Sequence, residues 1–199
     1  NAKLVGRVAA VFTVAPFVRK AEELIARAER PRPRPEKKRV WASLEKTPEE
    51  VIEKVFEEAG YRDPAHQKKW IALVDGNKPQ IRILGRMAKE KGIDLAIIVD
   101  VIHVIEYLWD AGRAFHPEAG SELESWVRIR LLEILRGNAG YMAGGMRRSA
   151  TLRGLASGDR KPVDACANYL LTYAPYLKYN HYLAQGFPIA TGVIEGACR

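Results

Sequence analysis

Two short apolar runs, Trp70 to Val74 and Leu95 to Val99, constrain the fold of this chain more than any other feature. Each is apolar throughout instead of alternating between two faces, which is the pattern of a strand covered on both sides. Each also ends on an aspartate, Asp75 within Asp75-Gly76-Asn77 and Asp100. Between them Gln80 to Lys91 has the composition of a helix and stops at Gly92. A strand, a helical crossover and a second strand predict parallel pairing. In sheets of that kind ligands and catalysis gather at the carboxyl ends of the strands, where both aspartates fall.

The flanking segments predict the rest of the order. Leu4 to Val18 is rich in β-branched and aromatic residues and carries Gly6 and Pro16 near its ends, which fits one or two strands. Ala21 to Arg30 fits a short charged helix. The run PRPRP at 31–35 then forbids helix and favours an extended connector that continues, with Glu36 to Arg39, as an exposed basic linker. Thr47-Pro48-Glu49-Glu50 marks a helix start, and Val51, Ile52, Val55, Phe56 and Ala59 follow as one apolar stripe read as core. Val101 to Ala114 reads as a helix or as a strand passing into a helix, and further helices are predicted over Glu122 to Leu135 and Asp159 to Tyr173. Met142 to Leu155, interrupted by Gly144 and Gly145, is expected to be broken or irregular. The expected organisation is core strands over 1–20, a basic proline-rich insertion or linker over 21–46, an α/β core over 47–108, a helical insertion over 109–185 and a last helix over 186–199.

Charge narrows the classes of function. The net charge is +8, and residues 1–46 hold 12 Lys and Arg against 5 Glu, which points to a polyanionic partner, nucleic acid first. Arg32, Arg34, Lys37, Lys38 and Arg39 in that segment, with Arg147, Arg148 and Arg153 further on, are the candidate phosphate contacts. No run approaches the roughly 18 apolar residues of a membrane span, and no signal-peptide pattern is seen, so a cytoplasmic protein without a membrane partner is expected. Cys166 and Cys198 lack a CxxC spacing and are read as reduced and buried, and Tyr107, Trp109 and Trp126 as core.

Carboxylates at strand ends beside a basic surface suit hard divalent cations, and a pair of such ions supports in-line phosphoryl transfer. Asp75, Asp100 and Glu195 are the candidate ligands, although an Asp-Gly-Asn after a strand is also the signature of a turn in which the aspartate bonds local backbone. Four strings then carry a resemblance: VDGN at 74–77, DVIHVIEYLW at 100–109, RRSATLRGL at 147–155 and PIATGVIEGACR at 188–199. Together they resemble the catalytic domain of bacterial insertion-sequence DDE transposases of the insertion sequence Kra type, and Asp-x-x-His at Asp100 and His103 is similar to the element that accompanies the site in mutator-like transposases.

The resemblance implies an RNase H-like mixed sheet flanked by helices, with the helical block 109–185 inserted before the element that carries Glu195. It implies that Asp75 and Glu195 are catalytic carboxylates holding Mg2+ or Mn2+ in a two-metal site. Asp100 and His103 become auxiliary residues, with His103 orienting Asp100 or touching DNA, while a rival alignment makes Asp100 the second catalytic carboxylate. The implied activity is DNA strand cleavage and strand transfer at transposon ends, on transposon and target DNA, by a homodimer or larger assembly near the bacterial nucleoid. Residues 1–46 contain no Asp, and the chain begins at Asn1. The family's first aspartate is therefore expected upstream, in a larger protein of which this is a fragment. The alternatives are a catalytically incomplete or domesticated DNA-binding fragment and a nuclease of the same fold.

Overall fold

The computed structural model of the chain describes residues 7–26 and 30–191. Its elements are β1 (Arg7–Thr13), α1 (Ala21–Ile25), β2 (Glu36–Ser43), α2 (Pro48–Arg62), β3 (Trp70–Val74), α3 (Lys78–Glu90), β4 (Leu95–Val99), α4 (Val101–Arg113), α5 (Ser121–Leu135), α6 (Ala139–Leu152), α7 (Ser157–Thr172) and α8 (Tyr179–Ala184). The architecture is mixed α/β: β1 pairs with β2, β3 pairs with β4, and helices flank these two small sheets. Among the described residues, 7–16 and 31–97 form one compact unit, and 17–26, 30 and 98–191 form another.

In the first unit β1 and β2 run antiparallel, from Arg7 opposite Ser43 to Val11 opposite Arg39, and then slip so that Thr13 faces Glu36. The slip is a bulge that gives β2 one extra residue, and Lys37 within it takes a left-handed φ of 50°. Glu36 to Arg39 therefore belong to a strand and do not continue the linker as composition suggested. Their partners lie some thirty residues back in β1, a pairing that no local composition argument can see. The sheet exposes Val8, Ala10, Val40 and Ala42, whereas Ala9 and Trp41, paired across the strands, are half-buried.

Helix α2 begins with a reciprocal cap. The Thr47 hydroxyl accepts the Glu50 N–H at 3.3 Å, and the Glu50 carboxylate accepts the Thr47 N–H at 2.7 Å. Its buried stripe of Val51, Ile52 and Phe56 is the one the sequence periodicity picks out. At its far end Asp63 is 4% exposed and takes three donors, the amides of Gln67 at 2.9 Å and Lys68 at 3.0 Å and the Trp70 indole at 2.9 Å. One carboxylate thus closes the turn that leads from α2 into β3. The indole bond, followed by those amides, holds the Asp63 carboxyl below the usual carboxylate range. Strands β3 and β4 occupy the spans read from sequence, but full burial is confined to their carboxyl ends, at Val74, Ile98 and Val99. The two-sided cover predicted for whole strands exists only there.

In the second unit α4 packs on α5 and α7, and α6 packs on α5 and α7. Gly112 sets the approach of α4 to α5, because a Cβ there would lie 2.6 Å from Leu123 Cδ1 and 3.1 Å from Trp126 Cε3. Helix α6 is continuous through Gly144 and Gly145, contrary to the broken segment expected from their presence. Ala139, Ala143, Met146 and Ala150 are all buried on one face of α6, and that packing outweighs the roughly 1 kcal/mol of helix propensity that each glycine forfeits. The segment around α1 belongs to this unit as well. Phe17 and Arg19 donate their amides to the carbonyls of Gly186 and Leu183, and Arg136 forms an ion pair with Glu22 at 2.8 Å.

Gly112→Ala is expected to lower stability by about 1–3 kcal/mol, the usual range for overpacking a tight helix crossing, as read by urea denaturation. A depressed carboxyl contributes stability that is complete above its ordinary pKa of about 4 and is lost as pH falls through the lower folded value. Asp63→Asn should therefore lower the melting temperature at neutral pH, and below about pH 4 its stability should fall less steeply than that of the parent, as thermal melts across the acid range will read.

Candidate functional site

Asp75 follows the buried Val74 directly and is exposed at the carboxyl end of β3. Its Oδ1 accepts the Asn77 N–H at 3.0 Å, Gly76 takes a φ of 92° that a side chain would strain, and the Asn77 side-chain Oδ1 accepts the Gln80 N–H at 3.1 Å to open α3. The turn expected of Asp-Gly-Asn is present. It also presents the Asp75 carboxylate at the surface, between a strand end and a helix start.

Asp100 has a different environment. It is 3% exposed and caps α4, its Oδ1 accepting the Ile102 N–H at 2.9 Å. Its Oδ2 accepts both the Thr191 N–H at 2.8 Å and the Thr191 hydroxyl at 2.6 Å. Three donors from the chain therefore occupy a carboxylate that offers about four acceptor positions. Neighbouring bonds consolidate the junction: the Val101 N–H donates to the Ile189 carbonyl at 3.0 Å, and the buried Tyr179 hydroxyl donates to the Val99 carbonyl at 2.7 Å. Burial pushes the Tyr179 phenol well above its ordinary pKa, so it stays a neutral donor.

His103, one turn into α4, lies with its Nδ1 2.8 Å from the Glu106 carboxylate on the same helix, and both side chains are exposed. The described partners of Asp100 are Ile102 and Thr191. Glu195 and Cys198 lie outside the described residues. Cys166 is a free, fully buried thiol that burial pushes up to about 12, which makes it packing and not a nucleophile.

The basic residues separate by what they touch. Arg147 is tied to Asp164 at 3.3 Å and to the Asn168 side-chain oxygen at 2.7 Å, and Arg160 reaches the same Asp164 from one turn away. Arg148 is exposed on α6, and Arg153 donates to the Phe115 carbonyl at 3.2 Å. Arg32, Arg34, Lys37 and Lys38 are exposed, while Arg39 pairs with Glu58 at 2.6 Å, an acid it shares with Arg62. Among the described residues no group of three or more His, Cys, Asp or Glu side chains is placed to hold a metal ion, and no helix is long and apolar enough to cross a membrane.

Sequence reasoning did not find Thr191 as the partner of Asp100, Tyr179 as an anchor of β4, or Arg130, which lies against Trp126. The Asp100–Thr191 bond spans ninety-one positions, and local pattern carries no sign of it. No protein-family model, curated protein or solved structure matches the chain.

Thr191→Val removes one charge-assisted bond to a buried acid and is expected to cost about 1.5–3 kcal/mol. Tyr179→Phe leaves the Val99 carbonyl unpaired and should cost about 1–3 kcal/mol, both values to be read from chemical denaturation.

Proposed function

We propose that this chain is the catalytic core of a DDE transposase, which cuts DNA strands at transposon ends and joins the freed 3′-hydroxyls to target DNA. Its finer fold on this reading is RNase H-like, with the helices after α4 as an insertion ahead of Glu195. The observation that carries the reading is the exposed Asp75 carboxylate at the end of β3 within the VDGN string, followed directly by a helix start. The three other strings of the resemblance support it, as do the exposed basic side chains of Arg34, Lys37 and Lys38 in the first unit and of Arg148 in the second.

The environments of the two aspartates favour one alignment over its rival. Asp100 is buried and taken up by Ile102 and Thr191, so ligating a metal would first break those bonds. Asp75 is exposed and is an oxygen donor of the kind Mg2+ and Mn2+ prefer, so it fits as one ligand, and Glu195 would be another. Bound there, a pair of such ions supplies activation of a water or 3′-hydroxyl and stabilisation of the leaving oxygen. Asp100 acts on this reading as a positioning residue. It holds Thr191 through both the amide and the hydroxyl. The exposed arginines and lysines hold the phosphates of transposon and target DNA, and pairing of two transposon ends calls for a dimer or larger assembly.

A labelled duplex ending in the transposon terminus, incubated with a supercoiled target plasmid and Mg2+, tests the reading. Cleavage and transfer products are expected from the longer protein that the resemblance implies. Asp75→Asn should reduce both at least about a hundredfold, since even residues one step removed from a metal typically cost 10- to 100-fold, while duplex binding is kept. Products that persist in Asp75→Asn, or cleavage that never proceeds to transfer, would overturn it.

A further inference from the structure

Two guanidinium groups and two stacked rings meet in the second unit, and of these the sequence singles out Arg153 alone, as a candidate phosphate contact, with no platform and no second cation. Phe115, just after α4, and Trp126 of α5 are buried and stacked, with centroids 5.3 Å apart and ring planes 27° apart. Arg130, one turn along α5, lays its Cζ 3.7 Å from the Trp126 ring centre and donates from Nη1 to the Trp126 carbonyl at 3.1 Å. Arg153, at the end of α6, holds its Cζ 5.4 Å from the Phe115 ring centre and donates to the Phe115 carbonyl. Each cation therefore spends a donor on backbone and rests on one ring of the same pair.

What is missing around them is a counter-charge. Among the described residues Arg30, Arg39, Arg62, Arg113, Arg136, Arg147 and Arg160 each lie within ion-pair distance of an acid. Arg130 and Arg153 have no such partner, although Arg130 is half-buried. Burial, and then the charge of Arg153, push the Arg130 guanidinium down to about 10, and no carboxylate is among the groups acting on it. Two like charges held within electrostatic reach, one of them partly out of water, oppose folding unless an anion joins them. Their planar forks keep several N–H donors after the carbonyl bonds, an arrangement matched to a tetrahedral oxyanion.

We propose that Arg130 and Arg153, seated on the Phe115–Trp126 stack, form a phosphate-binding site. The aromatic platform fixes the two guanidinium planes before the anion arrives, and the anion supplies a negative charge that no described acid brings to them. The chemistry is the same for the phosphodiester of a nucleic acid backbone and for free inorganic phosphate.

The site is tested by following the arginine Nε–Hε resonances of the protein in NMR titrations, first with inorganic phosphate and then with a short DNA duplex. Saturable, joint shifts of the Arg130 and Arg153 signals on adding phosphate are expected. Arg153→Gln should weaken that binding at least about tenfold. Arg130→Lys, which keeps the charge and the stem but loses the fork, should act in the same direction even if Arg130→Gln fails to fold. Lys161→Gln, at a residue exposed on α7, should leave it unchanged. A parallel loss of duplex affinity in both variants identifies a nucleic acid backbone as the source of the phosphate. A loss confined to inorganic phosphate identifies a free phosphate, and either result upholds the site. It is overturned if the two signals do not move at millimolar phosphate, or if Arg153→Gln and Arg130→Lys bind phosphate as the parent does. Asp75→Asn should bind phosphate normally, so failure of the carboxylate reading and failure of this one are told apart.

Discussion

The buried carboxylate of Asp100 is the interaction on which the second unit depends. A carboxyl group removed from water is costly unless hydrogen-bond partners surround it, and here the first turn of α4 and both donors of Thr191 do so. One side chain thereby ends β4, starts α4 and fixes a strand of backbone that arrives from the far end of the described chain. The Ile189 carbonyl and the Tyr179 hydroxyl repeat the link on either side, through Val101 and Val99. Because the three contacts share one junction, their energies are expected to be coupled and not simply additive.

Asp63 has the same part in the first unit. These two are the buried acids among the described residues, and both sit where a strand meets a helix. Asp63 gathers two amides and an indole to join α2 to β3, as Asp100 gathers two amides and a hydroxyl beyond β4. Asp75 occupies a comparable place after β3 yet stays exposed, held by a turn bond to Asn77. The contrast is one of burial: Asp63 and Asp100 are enclosed among donors of the chain, whereas Asp75 lies at the surface.

What was legible in the sequence was local. The capping box at Thr47 and Glu50, the spans of β3 and β4 and the helices over Ser121–Leu135 and Ser157–Thr172 are encoded by neighbours a few positions apart, and periodicity reads them. The pairing of β2 with β1 was illegible because its partners are distant in sequence, and α6 was misjudged because burial of Ala143, Met146 and Ala150 overrides two glycines. For the candidate site, the position of Asp75 and Asp100 at strand ends was legible, but the difference between them was not. It rests on Thr191, ninety-one residues from Asp100, and the identity of a hydrogen-bond partner at that range is decided by the fold alone. The Arg130–Arg153 pair escaped for the same reason, since its two arginines lie on different helices and share only an aromatic stack.

On the transposase reading Asp75, and not Asp100, meets the metal. Crystals of the protein soaked in Mn2+ and recorded at a wavelength where manganese scatters anomalously would test it most directly. The account predicts an anomalous peak at coordination distance, about 2.0–2.2 Å, from the Asp75 carboxylate, with the Asp100–Thr191 bonds intact. A peak on Asp100 with Thr191 displaced, or no peak at Asp75, would contradict it.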